Sequence, residues 1–468
     1  MDAPYDKYDV SSIEEYARRL IGKTFKEAIG SESYNNIADF GRKGGLGNLI
    51  EKYYFKFEIN SRQQPDFEDA GIELKVTPYK MDARGNKTAK ERLVITMINY
   101  MTVINEAFDD SHLWAKLRLM LIVYYFYEKE ISDRLDYRID YVSLFTPPEE
   151  DLKIIKDDYR KIVEKIRSGH AHELSEADTM YLSACTKSSD GSKRTQQPNS
   201  DELAKPRAFA LKSSYMTYVL NNYIIPDSTI YSGRIAPSER FDSIISGHEA
   251  VSFEKYIYDK INSYRGWSVA DLCKNFNISL GTNAKNKESL IAYRILGVKS
   301  NAAEEFIKAG IKVKAIRIGA NGAIREHVSF AAMNFQEVAQ EEWEDDYFYK
   351  ILTETKFFFV VYKEDSNGIY RLRGCKFWNM PACDILEVKK VWQKTKELIN
   401  GKLVLTRENG RLVNNFPKPS ENRVCHVRPH ARNSADTGLL PDGRAVTKQC
   451  FWLNNSYILS QISDLSQE

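Results

Sequence analysis

The chain has 468 residues, too many for one hydrophobic core, so two or three domains are expected. Hydrophobic residues at 43% and charged residues at 28% describe a soluble globular protein. With 67 Lys and Arg against 65 Asp and Glu, the net charge of +2 excludes a chain that is basic throughout, yet leaves room for a basic groove balanced by acidic outer faces.

The N-terminus, MDAPYDKYDVSSIEEYARRL, has no apolar core after a basic start, so no signal peptide is expected. SSIEEYARRLIGKTFKEAIG reads as a first helix, capped by Ser11 or Ser12 with Glu14 and Glu15 in its opening turn. GNLIEKYYF reads as a second, placing Glu51 one turn after Gly47. GIELKVTPY then alternates as a strand: Ile72, Leu74 and Val76 face one way, Glu73, Lys75 and Thr77 the other. A turn over Asp82 to Lys87, a strand in ERLVITMINY and another in LRLMLIVYYFY follow. The last lies in the longest apolar stretch, Leu117 to Tyr127, which Arg118 interrupts and which is too short to span a bilayer. No membrane contact is expected, and the cytoplasm is the expected compartment. DLKIIKDDYRKIVEKIRSG reads as a long charged helix ended by Gly169. The six cysteines are scattered without a CxxC pair, which fits reduced, packed thiols, and Cys425, His426 and His430 lack zinc-site spacing.

The order of elements then repeats. AGIELKVTPY (Ala70 to Tyr79) returns as AGIKVKAIRI (Ala309 to Ile318), each followed by a Gly-containing turn, and NLIEKYYF pairs with SLIAYRIL. LRLMLIVYYFYEKE pairs with ETKFFFVVYKED, and RAFALKSSYMTYVL with QCFWLNNSYILSQI. An offset of about 240 residues is a duplicated domain and not a solenoid. The Pro-, Gly- and Ser-bearing stretch from Ile225 to Glu249 marks the boundary, giving domains over 1–230 and 250–468. The class is α/β.

Asp66 follows Pro65, and Gly71 permits a turn that folds Asp66 back onto the face of Glu73 and Lys75. Two carboxylates and a lysine on one surface suit phosphodiester cleavage. Asp66 and Glu73, with the backbone carbonyl of Leu74, would hold a divalent cation, expected to be Mg²⁺; Lys75 would orient the attacking water, and Glu51 would complete the site or support a second ion. A Glu and a Lys on a solvated strand face are common, so the triplet gains its meaning from the Pro-Asp before it and the helical Glu51. The second copy is an internal control: Glu51 aligns with Ala292, Asp66 with Glu305, Glu73 with Lys312 and Lys75 with Lys314. An ammonium repels a cation, so the second domain is expected to keep the fold and lack the cleavage.

PDFEDAGIELK, with RKGGLGNLIEKYYF before it and SHLWAKL after it, resembles the PD-(D/E)xK motif of the MutH family, and the duplication is similar to the two-domain type II restriction endonucleases that cut at GATC. The resemblance implies a duplicated restriction-endonuclease-like fold, a central mixed β-sheet flanked by helices. It adds Lys116 as a lysine near the scissile phosphate and Lys43 as a DNA contact, and it places site reading in YLSACTKSS and KPRAFALKSS, with Lys187, Arg207 and Lys212 as base or phosphate contacts. Where MutH carries a tyrosine implicated in sensing adenine methylation, this chain has Ala210, which favours a double-strand cutter over a mismatch-repair nickase. In the second half the equivalent loop, CHVRPHARNSAD, offers Arg428, His430 and Arg432 to a second DNA site. The implied enzyme is a Mg²⁺-dependent endonuclease on double-stranded DNA, a monomer that self-associates on DNA and is regulated by its second domain, with a companion methyltransferase acting on the same sequence. Two other readings stand beside it: a MutH-type strand-nicking repair endonuclease, and a non-catalytic GATC-binding protein.

Overall fold

The computed structural model describes residues 4–30, 45–57, 64–82, 85–188, 192–225, 253–278, 287–298, 303–408 and 411–466. Lys43 and nearly all of the Ile225 to Glu249 stretch lie outside them. The chain forms two compact units: Met1–Ala250 with Ala302–Gly310, and Val251–Asn301 with Ile311–Glu468.

In the first unit the opening helix, Val10–Arg18, is capped by Asp9, whose carboxylate accepts from the N–H groups of Ser11 and Ser12. The expected single helix is two. Gly22, at φ +85°, donates its N–H to the Ile139 carbonyl and pins the chain there, and a capping box of Thr24 and Glu27 starts a separate helix, Phe25–Ile29.

Among the described residues nine strands follow: β1 (Glu73–Met81), β2 (Lys87–Ala89), β3 (Leu93–Met97), β4 (Met120–Phe126), β5 (Ile139–Phe145), β6 (Leu182–Thr186), β7 (Thr195–Gln197), β8 (Ser200–Ala204) and β9 (Arg207–Leu211). The central sheet runs β2-β1-β4-β5, with β1 and β4 parallel and the outer pairs antiparallel. In β4, Met120 to Tyr124 are completely buried, as a central strand covered on both faces requires. A second sheet runs β3-β9-β6, and β7 and β8 form a hairpin. The long helix Glu149–Arg167 carries acidic residues in its first turn and basic ones in its last, complementing its dipole. Its Asp158, fully buried, accepts from the N–H groups of Met180, Tyr181 and Leu182 at 2.8, 2.7 and 3.0 Å and so fixes the start of β6.

The second unit repeats this plan. Its strands are β10 (Lys312–Ile318), β11 (Val328–Ser329), β12 (Phe357–Glu364), β13 (Tyr370–Trp378), β14 (Leu405–Glu408), β15 (Arg411–Asn414), β16 (Cys425–Pro429), β17 (Thr437–Leu439), β18 (Ala445–Thr447) and β19 (Gln449–Leu453). β10 lies parallel to β12, which pairs antiparallel with β13, as β1, β4 and β5 do. β11-β19-β16 matches β3-β9-β6, the β17-β18 hairpin falls between β16 and β19 as β7-β8 does between β6 and β9, and the β14-β15 hairpin is added. The registers agree: Glu73 stands opposite Met120 and Lys75 opposite Ile122, while Lys312 stands opposite Phe357 and Lys314 opposite Phe359. β1 has a partner on each side, whereas β10 pairs with β12 alone among the described strands.

One segment departs from the division drawn from sequence. The helix Glu304–Ala309, placed by sequence in the second domain, is part of the first unit. Its Lys308 lies 2.6 Å from Asp151 and 2.7 Å from Glu304, all three side chains nearly inaccessible. Tyr218 donates to Glu304 (2.8 Å), Tyr215 to Asp151 (2.9 Å), and Ser214 Oγ to the Lys308 carbonyl (2.9 Å). A buried ammonium between two carboxylates is strongly disfavoured apart from its partners, which ties this helix to the unit that supplies Asp151.

Candidate active site

The residues from Pro65 to Lys75 are folded by local rules. Gly71 adopts φ +70°, its N–H returns to the Phe67 carbonyl at 2.8 Å, and Phe67 bridges to Ile72, so the chain reverses between Asp66 and β1. The reversal brings Asp66 beside β1, where the Leu74 N–H donates to Asp66 Oδ2 at 2.9 Å.

Glu73 is 2% exposed and holds two ammoniums. Lys75 Nζ donates to its Oε1 at 2.7 Å, and Lys116 Nζ, from the helix His112–Leu117, lies 3.1 Å from each of its oxygens. Lys75 also reaches the Ile95 carbonyl at 3.5 Å. Glu51 lies in the π-helical turn Ile50–Tyr54, which continues the helix Gly45–Leu49. Burial first, and then the Asp66 charge, push the Glu51 carboxyl up to about 7, despite the opposing lysines. Burial and the Glu73 charge raise Asp66 to about 6. Glu51 is thus raised by Asp66, and Asp66 by Glu73, which places the three carboxyls in one electrostatic cluster with Lys75 and Lys116.

The donor set is one of hard oxygens, which suits a divalent cation, and the mutual repulsion is what such a cation relieves. Among the described residues, however, no three His, Cys, Asp or Glu side chains stand close enough to share an ion. The Glu73 oxygens are taken by Lys75 and Lys116, which would have to yield them.

The residues expected at DNA divide. Lys187 is exposed at the end of β6. Arg207 is buried and donates Nη1 to the Ala184 carbonyl at 2.6 Å and Nη2 to the Leu174 carbonyl. Lys212 is buried and donates to the Thr179 carbonyl. These two cations, expected at DNA, satisfy carbonyls around β6, where a buried unpaired acceptor is costly. Ala210 is fully buried beside Cys185 and Ala208. In the second unit Arg428, His430 and Arg432 are all exposed. Arg428 lies over the Trp452 ring at 5.1 Å, and the His430 ring is 5.5 Å from it. Cys425 and His426, by contrast, are completely buried.

The copied motif does not reassemble. Ala292 lies buried in the helix Lys287–Ile295, and Glu305 lies in the helix built into the first unit, where it acts on Tyr181. Asp158, which seats β6, went unnoticed in the sequence: one acidic residue in a long charged helix carries no signal of the backbone it will meet.

A mixed sheet that gathers carboxylates and lysines at the start of β1 is that of a nuclease of the restriction-endonuclease-like class. Residues 55–158 match the family model described as DNA mismatch repair enzyme MutH. The chain is 34% identical to the type II restriction enzyme Sau3AI of Staphylococcus aureus over 97% of its length and 98% of that protein's. It is 27% identical to the DNA mismatch repair protein MutH of Shewanella woodyi, over 47% of this chain and 95% of that one. The Yersinia enterocolitica MutH is 24% identical over a similar share, 47% and 96%. The chain belongs to the MutH-like type II restriction endonucleases and is, by that membership, a site-specific deoxyribonuclease.

Proposed function

We propose that this enzyme cuts both strands of duplex DNA at GATC with Mg²⁺, through the first unit, and that the second unit binds another copy of the site and regulates the first. The observation that carries the reading is the cluster of Glu51, Asp66, Glu73, Lys75 and Lys116, formed once, in a chain whose second copy replaces Glu73 with Lys312. GATC comes from the resemblance of the motifs, which also implies cutting before the G.

Asp66 and Glu73, with the Leu74 carbonyl, would hold the cation, which supplies Lewis-acid stabilisation of charge at phosphorus. Asp66 is anchored for this by the Leu74 N–H. Lys75, released from Glu73, orients the attacking water and stabilises the hydroxide it becomes. Glu51, raised to about 7, is poised to take up that proton near neutrality. Lys116 neutralises the scissile phosphate. Lys187 and, in the second unit, Arg428, His430 and Arg432 supply DNA contacts, mostly to phosphate. One active centre meets two scissile bonds in a palindrome, so two chains pair on DNA or one chain cuts twice. Occupancy of the second unit biases that step.

The half-length MutH relatives favour a second reading, a strand-nicking repair endonuclease. Plasmids with zero, one or two GATC sites, unmethylated or methylated, incubated with the protein and Mg²⁺, separate the two. The expected result is linear product, faster with two sites than one, and none from Lys75→Ala. Nicked circles alone, with a preference for hemimethylated DNA, would establish the second reading. No cleavage of the unmethylated two-site plasmid would refute both.

A further inference from the structure

Where the first unit gathers carboxylates, the corresponding strand end of the second unit holds two lysines and no acid. Lys312 and Lys314 occupy the register of Glu73 and Lys75 on one face of β10, and the backbone confirms the equivalence: the Glu73 N–H donates to the Leu119 carbonyl and the Lys312 N–H to that of Lys356, both at 3.0 Å and both one residue before the parallel strand. The other two acidic positions are gone, Glu51 as Ala292 and Asp66 as Glu305, which is built into the first unit.

Neither ammonium has a hydrogen-bond or ion-pair partner among the described residues. Burial, followed by Lys314, pulls Lys312 down to about 8; burial also lowers Lys314, opposed by the Cys450 thiol, and no carboxylate acts on either lysine. The buried lysines among the described residues have partners: Lys116 has Glu73, Lys308 has Asp151 and Glu304, Lys356 has Glu254, and Lys212 has the Thr179 carbonyl. Lys312 is accessible to solvent and Lys314 half-buried. Lysines on an edge strand commonly serve to block strand pairing, and that would account for a solvated Lys312. It does not account for a second, half-buried ammonium beside it without a counter-ion in a chain that carries 65 acidic residues.

The lysines are also continuous with a basic edge. Cys450 on β19 feels both Lys314 and Arg428, and Arg428, opposite Cys450 on β16, leads to Trp452 and His430. Two lysines on one strand face without a carboxylate partner, with an exposed arginine acting on the same Cys450, fit an oxyanion such as a phosphodiester.

We propose that the degenerate site of the second unit is a phosphate-binding site, in which Lys312, Lys314 and Arg428 take the backbone of a DNA duplex where the first unit's copy gathers carboxylates. Replacing Glu73 with a lysine would thus have done more than disable a nuclease: it inverted the site's charge. This rests on the reading that the second unit binds DNA.

The test uses the full chain carrying Lys75→Ala, so that duplexes stay intact, titrated with a fluorescent GATC duplex across a salt series. Two duplexes should bind per chain, with Arg428→Ala identifying the step that belongs to the second unit. Lys312→Gln with Lys314→Gln should weaken that step about 10- to 100-fold near 0.15 M salt and flatten its salt dependence by roughly 2 in slope, while the other step stays unchanged. Lys312→Arg with Lys314→Arg should restore the affinity. Lys314 on the same strand acts on Lys312, and Lys314 in turn is met by Cys450 on β19, which also feels Arg428 on β16. Because Lys312 loses its proton as pH rises through about 8, the wild-type step should weaken from pH 7.5 to 9.5 and the arginine variant's should not. Two bound duplexes with an unaltered salt slope in the glutamine variant would overturn this proposal alone. One bound duplex in the parent chain would overturn it together with the reading of the second unit as a DNA-binding module. Thermal unfolding of the glutamine variant, expected to be undiminished because two repelling ammoniums are removed, separates lost binding from lost folding.

Discussion

Glu51→Gln should stabilise the metal-free protein while it impairs cleavage. In the folded chain burial and Asp66 raise the Glu51 carboxyl from its ordinary 4.5 to about 7. The folded state therefore binds more protons than the unfolded state between those values, so this group's contribution to stability falls as pH rises through that window and is lowest above 7. At about 1.4 kcal/mol per tenfold, the interval corresponds to about 3 kcal/mol, and solvent screening at a partly accessible carboxylate reduces it to about 1–2 kcal/mol. A neutral amide of the same shape avoids that repulsion. With EDTA present, the melting temperature of Glu51→Gln at pH 8 should exceed that of wild type by roughly 2–8 °C, at 2–4 °C per kcal/mol for a unit of this size. At pH 4.5 the two should nearly coincide, since Glu51 is then protonated when folded. Mg²⁺ should raise the melting temperature of wild type more than that of the variant, because the cation relieves the same repulsion. An equal shift at both pH values, or a less stable variant at pH 8, would refute the claim that these carboxyls are held in mutual repulsion.

Lys308→Met leaves Asp151 and Glu304 buried without their cation and should cost about 3–5 kcal/mol, read as a lowered urea midpoint. The loss should shrink at low pH, where both carboxyls protonate; a variant as stable as wild type at neutral pH would detach the helix Glu304–Ala309 from the first unit. Arg207→Ala should destabilise the protein by about 2–3 kcal/mol through two orphaned carbonyls, while the salt slope of DNA binding stays the same. A slope reduced by about 0.9 with unchanged stability would return Arg207 to the phosphate contacts.

The motif at Pro65 to Lys75 was legible because its parts are local. A permissive glycine and a strand period of two place Asp66, Glu73 and Lys75 on one surface without reference to the rest of the chain. The repeat was legible because the same apolar alternation had to be kept twice. The fate of Arg207 and Lys212 was not, since a cation in a strand reads alike whether it meets phosphate or a backbone carbonyl from a distant loop. The first helix misled for a related reason: helical periodicity runs through Gly22, and its break depends on a hydrogen bond to Ile139, more than a hundred residues away.

By itself, then, the sequence determined the strands, their duplication and the charges that differ between the copies, because periodicity and residue type are carried by neighbours in the chain. Only the tertiary structure decided which charges meet. It set Lys116 against Glu73 and gave Glu304 and Lys308 to the unit that holds Asp151. It left Lys312 and Lys314 on one face of β10 without a carboxylate partner among the described residues. The energy of a charge depends on its burial and on partners brought from elsewhere along the chain, and no spacing in the sequence specifies either.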